Sequence, residues 1–145
     1  EMFHLLKSEQ IAAYLFSFNP EPGTVMENTP RVPIARTRRI QLVKNLIEEH
    51  DFPESAIEFD ESGTITAIDA PGELLERVTE NGVAFMTDGC PDRQGKMACN
   101  RPYGSYRPGE EFRDYPFLPD ASDLKIIRDE MKLSEMVKSA ESAVA

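Results

Sequence analysis

The two thiols of this chain fall in its most chemically loaded stretch. Residues 89–108 read Gly-Cys-Pro-Asp-Arg-Gln-Gly-Lys-Met-Ala-Cys-Asn-Arg-Pro-Tyr-Gly-Ser-Tyr-Arg-Pro and contain both Cys90 and Cys99. Turn formers and cations surround them. A nearby positive charge favours thiolate over thiol. Thiolates are the usual ligands of iron–sulfur clusters. Eight residues, 91–98, separate the two cysteines, and that spacing matches no standard zinc or ferredoxin pattern. Two sulfurs do not complete a cluster. Other ligands would have to come from additional chain or from an oxygen such as Ser105. Free loop thiols, or a single disulfide in an exported protein, fit the same residues.

Arg101, Arg107 and Arg113 follow at intervals of six. Guanidinium forks suit carboxylate or phosphate, whereas Glu110, Glu111 and Asp114 offer plain salt bridges. Tyr103, Tyr106 and Tyr115 suit either a pocket lining or simple loop packing. A second candidate is the apolar run Ile11–Phe18 and the turn Asn19-Pro20-Glu21-Pro22-Gly23 after it. In parallel α/β folds ligands bind at the carboxyl ends of strands. His4 and His50 stand alone and suggest no catalytic role. No Gly-rich phosphate loop, Ser/His/Asp order or HExxH helix is present.

Positioning these residues requires a scaffold. With 145 residues and a hydrophobic fraction of 40%, the chain can build one compact core. Residues 2–10 read as the end of a helix, so the chain looks cut from something longer. Ile11–Phe18 reads as a strand buried on both faces, and 24–34 as an extended loop. Arg36–His50 places Ile40, Val43, Leu46 and Ile47 on one helical face. Ala56–Phe59 and Thr64–Ile68 are strand-like around the hairpin signal Glu61-Ser62-Gly63. Gly72–Asn81 is a short helix with Gly82 placed as its C′ glycine. Asp120 caps a last helix whose inner face is Leu124, Ile127 and Met131. The tail 138–145 should fray.

This order predicts an α/β architecture with a parallel sheet or part of a (β/α) barrel. An α+β arrangement is the main competitor. Three segments are expected: 1–86 as late strands and helices of the barrel, 87–119 as a long irregular loop, and 120–145 as the C-terminal helix. A structureless loop of that length is unusual unless something it binds orders it.

The net charge of −10 disfavours nucleic acid and anionic membrane surfaces. No signal peptide or apolar spanning run is visible. A cytoplasmic location is the expectation. Two basic islands, Arg31/Arg36/Arg38/Arg39 and Arg93/Lys96/Arg101/Arg107/Arg113, interrupt the acidic background as candidate anion contacts.

The stretch Leu15–Thr24 (LFSFNPEPGT), followed by Pro33 and the helix Arg38-Arg39-Ile40-Gln41-Leu42, resembles the late strand and helix of biotin synthase-like radical S-adenosylmethionine enzymes. Cys99-Asn100-Arg101-Pro102-Tyr103-Gly104, with Arg107-Pro108-Gly109 and Tyr115-Pro116-Phe117, is similar to the C-terminal region of two-component lipoyl synthases of archaea and some bacteria. The resemblance covers roughly residues 10–130. It implies an auxiliary [4Fe-4S] cluster on Cys90 and Cys99, with Ser105 as an oxygen ligand. It places Asn19, Glu21 and Gly23 beside S-adenosylmethionine, with Arg101 and Arg107 holding its methionyl carboxylate or orienting the loop.

The family motif CxxxCxxC, which holds the cluster that cleaves S-adenosylmethionine, is absent from this sequence. That second [4Fe-4S] cluster would sit on a missing N-terminal part or a partner subunit. The complete enzyme would insert sulfur into an octanoyl chain carried by a lipoyl carrier protein. Two rival readings are another biotin synthase-like enzyme and a non-catalytic acidic interaction module with a disulfide-closed loop.

Overall fold

The computed structural model describes residues 1–16, 18–87, 89–94, 97–99 and 115–136. Helix α1 spans Met2–Ser8 and α2 spans Ile34–His50. A hairpin of β1 (Ile57–Phe59) and β2 (Ile65–Ile68) follows, then α3 (Gly72–Asn81). Two short strands, β3 (Cys90–Pro91) and β4 (Met97–Cys99), precede α4 (Ala121–Met131) and α5 (Leu133–Met136). The chain is therefore mixed α/β. Among the described residues its ladders are two antiparallel pairs, not the expected parallel sheet. The parallel pairing present is a single bridge between Met86 and Tyr115.

Helix α2 is the hub. Leu42, Val43, Leu46 and Ile47 are buried on it and meet Ile65 and Ile68 of β2, Leu75 and Val78 of α3, Phe85, and Ile127 and Met131 of α4 in one core. Burying each such side chain contributes roughly 1.5–3 kcal/mol. The helix starts at Ile34, two residues before the expected start. Pro33 stands as its N-cap, where a missing N–H costs nothing. Residues 24–29 form successive tight turns rather than an extended loop. Thr24, Glu27 and Thr29 N–H donate to the carbonyls of Glu21, Thr24 and Met26.

The β1–β2 turn is built on one carboxylate. Asp60 Oδ1 accepts from the amides of Ser62 and Thr64, both at 2.9 Å, and from the Ser62 hydroxyl at 2.6 Å. The Ser62 hydroxyl bond, followed by the Thr64 amide bond, holds the Asp60 carboxyl below its usual range. Gly82, at φ +70°, ends α3. A Cβ there would also press on Leu124 at 3.1 Å and Pro119 at 3.2 Å. The start of α4 is a reciprocal capping box. The Asp120 side chain accepts from the Ser122 and Asp123 amides, and Asp123 Oδ2 accepts from the Asp120 amide.

The expected strand Ile11–Phe18 is corrected. Residues 11–16 run without sheet pairing, and Ser17 lies outside the described residues. Alternation persists nonetheless. Ala13 and Leu15 are half-buried, whereas Tyr14 and Phe16 are exposed. Apolar side chains specify a strand only where a neighbouring strand takes up the backbone donors and acceptors. None lies beside this segment among the described residues. The irregular reading of 87–119 is likewise corrected in part, because β3 and β4 lie inside it. Its residues 100–114 and the tail 137–145 fall outside the described residues.

Helix α1 grips the far end of α2. Lys7 Nζ donates to Ile47 O at 2.6 Å, Glu48 O at 2.9 Å and Asp51 Oδ1 at 2.6 Å. A cation on the last carbonyls of a helix offsets its macrodipole. His4 Nε2, as the protonated nitrogen, donates to Phe52 O at 2.8 Å.

Lys7→Met should lower stability by about 1–2 kcal/mol through the lost carbonyl bonds, measured by chemical denaturation. The Lys7 hydrogen bond, then its charge, hold the Asp51 carboxyl below the usual aspartate range. A depressed carboxylate stabilises fully above its unfolded value and loses that contribution as pH falls through the lower folded value. The wild type should therefore lose stability in acid below about pH 4 more steeply than Lys7→Met. Gly82→Ala should cost about 1–2 kcal/mol from the left-handed backbone alone, read as a lower denaturation midpoint.

Candidate functional site

The cysteine segment leaves and rejoins the core at one point. Thr87 N–H donates to Tyr115 O at 2.9 Å, beside the Met86–Tyr115 bridge. Tyr115 is buried, and the Arg38 guanidinium lies over its ring at 5.3 Å. Arg38 is itself fully buried on α2. Its Nε donates to Glu130 Oε2 at 2.8 Å and its Nη1 to Gln41 Oε1 at 3.1 Å. Arg39 runs alongside, donating to Met131 O at 3.0 Å and Ile65 O at 2.7 Å. These two arginines had been candidate anion contacts. In the fold they bind protein groups instead, tying α2 to α4, β2 and the base of the cysteine segment.

Beyond that base, Gly89 turns the chain at φ +71°. Strands β3 and β4 then pair antiparallel, with Cys90 opposite Cys99 and Pro91 opposite Met97. The register shifts between these pairs, so Ala98 is the extra residue of a bulge. At the tip Asp92 Oδ1 accepts from the Gln94 amide at 2.7 Å, a side-chain-closed turn. Directly opposed residues in an antiparallel pair have Cα atoms about 4.5–5.5 Å apart and share a face of the ladder. Two positions nine residues apart in sequence thus become neighbours through backbone register.

The other predicted residues are not drawn to this point. Asn19 is half-buried, and Glu21 and Gly23 are exposed. Gly23 takes φ +80°, and its N–H donates to Glu27 Oε2 at 2.7 Å. Glu21 O accepts from the Thr24 hydroxyl at 2.8 Å. Arg101, Ser105 and Arg107 lie outside the described residues. Among the described residues no group of three or more His, Cys, Asp or Glu is arranged to hold a metal ion.

A cleft of about 190 Å³ lies between Leu15, the Gln41/Lys44/Glu48 face of α2 and Val83–Thr87. Small-molecule pockets usually begin near 300 Å³. A larger groove of about 550 Å³ runs between the start of α3 and α4–α5, where Arg128 and Lys132 face Glu76, Asp129 and Glu135. None of the predicted site residues lines it.

Sequence reasoning named Arg38 and Tyr115 but missed that the two are buried against each other. Arg38 lay in a basic island that reads as surface, and Tyr115 closed a loop. The apolar residues Ile34 and Leu42, four positions before and after Arg38, were the available signal that it faces inward. Arg38→Ala should cost about 3 kcal/mol, because Glu130 is left without its buried partner. Amide exchange at Thr87 should accelerate beyond the global change, as its bond to Tyr115 loosens. Comparison with protein-family models, with curated proteins and with solved structures finds no match for this chain.

Proposed function

We propose that this chain is the C-terminal part of a radical S-adenosylmethionine sulfur-insertion enzyme of the lipoyl synthase kind, with Cys90 and Cys99 as two thiolate ligands of an auxiliary iron–sulfur cluster. The observation that carries the reading is the opposition of Cys90 and Cys99 across the β3–β4 ladder. A cluster needs ligands that converge, and register brings these two together. They fit as part of a ligand set. The remainder would come from Ser105 or from other chain. Such a cluster, when bound, would supply the sulfide that is inserted into the substrate.

The chain's own contribution is support and orientation. The Met86–Tyr115 bridge closes the base of the cysteine segment, and Arg38 anchors that base to α2 and α4. The bulge at Ala98 sets which positions face each other. A barrel origin for 11–18 draws support from the alternating exposure of residues 13–16, with Leu15 lining the cleft beside α2. The exposed Phe16 would meet the neighbouring element of a complete barrel.

The turn carrying Asn19, Glu21 and Gly23 does not by itself fit S-adenosylmethionine. It is largely exposed, and the Gly23 amide is already engaged by Glu27. An N-terminal part or partner subunit bearing CxxxCxxC would bind that cofactor, and an octanoyl-bearing carrier protein in the cytoplasm would present the substrate. No helix among the described residues is long and apolar enough to cross a membrane.

The full-length protein, purified without oxygen, should be brown and contain iron and acid-labile sulfide. Cys99→Ala, with the CxxxCxxC cluster left in place, should lose the iron and sulfide of one cluster. Unchanged iron in that variant, or colourless wild-type protein after reconstitution, would refute the assignment.

A further inference from the structure

We propose that Cys90 and Cys99 form a reversible cross-strand disulfide, closed by exchange with a small-molecule disulfide such as oxidised glutathione. The inference rests on backbone register alone and stands whether or not the chain carries a cluster. A disulfide needs Cα atoms about 4.4–6.8 Å apart. Directly opposed residues of an antiparallel pair fall at about 4.5–5.5 Å. Cys90 and Cys99 are such a pair.

Three further features hold the pair in place. The Asp92 carboxylate turns the chain directly after β3 by accepting from the Gln94 amide. The bulge at Ala98 restores register between the tip and the cysteines. The Thr87–Tyr115 bond fixes the start of the hairpin to the core. Closure therefore joins two positions already opposed, across a short loop whose closing entropy is small.

The chemistry balances with glutathione disulfide as oxidant. One cysteine, as thiolate, attacks a glutathione sulfur, forming a mixed disulfide and releasing one glutathione thiolate. The second cysteine attacks the protein sulfur of that mixed disulfide and releases the other glutathione. Two electrons pass from the protein to glutathione. The two cysteine protons end on the two glutathione thiols. The same sulfurs cannot then ligate metal as thiolates, so oxidation and metal loading are exclusive states of one hairpin.

The test uses the full chain, stripped of metal by a chelator and equilibrated across ratios of reduced to oxidised glutathione. Thiols are trapped by a maleimide and counted by intact mass. Two species are expected, one with both cysteines alkylated and one with neither, interconverting at ratios independent of protein concentration. Trypsin cuts after Arg93 and Lys96, between the cysteines, so nonreducing digestion should yield one linked peptide pair. Cys90→Ser and Cys99→Ser should each stop at a single glutathione adduct. Wild-type protein that accumulates glutathione adducts, forms disulfide-linked dimers, or stays fully alkylatable in oxidised glutathione would overturn the proposal. Iron content, measured on separate anaerobic samples, tests the cluster assignment independently.

Discussion

A guanidinium withdrawn from water must find its hydrogen bonds and countercharge inside the protein. Arg38 is fully buried, and the surrounding elements are arranged to satisfy it. Glu130 comes from α4, Gln41 from the next turn of α2, and the Tyr115 ring from the far side of the cysteine segment. Three parts of the chain distant in sequence meet at one charge. Moving any of them would leave the cation or its carboxylate partner poorly solvated. The position of the cysteine segment on the core follows from that requirement.

Helix α2 carries this constraint outward in two directions. Its first turns, through Arg38 and Arg39, hold α4 and the β2 edge. Its last turn is gripped by Lys7 of α1. Between them lies the apolar face that makes the core. The result is a rigid support on one side of the segment 11–16, with apolar side chains also on the other side. A partner strand there would complete the period-two pattern that the segment already displays.

The candidate chemistry depends on a smaller piece of geometry. A one-residue slip in the β3–β4 ladder would place Cys90 opposite Ala98 or Asn100 rather than Cys99, on the other face of the pleat. The bulge at Ala98 and the Asp92 turn select the pairing that brings the sulfur-bearing positions together. Metal ligation and disulfide closure both require that pairing, so they compete for one arrangement rather than for separate sites.

Local signals were enough for much of the scaffold. Apolar residues at helical spacing marked α2, α3 and α4. Asp120 and Gly82 marked helix ends, because capping and left-handed backbone are properties of a few adjacent residues. Glu61-Ser62-Gly63 marked the β1–β2 turn for the same reason. The candidate thiols were also legible as residue types, but their opposition was not, since register across a turn depends on long-range pairing. Burial of Arg38 was hidden because charge alone reads as surface, and only packing of α4 and Tyr115 around it makes the interior tolerable. Ile11–Phe18 shows the converse. Its residues specify a strand, yet a strand exists only beside another one, and that neighbour is a fact of tertiary structure.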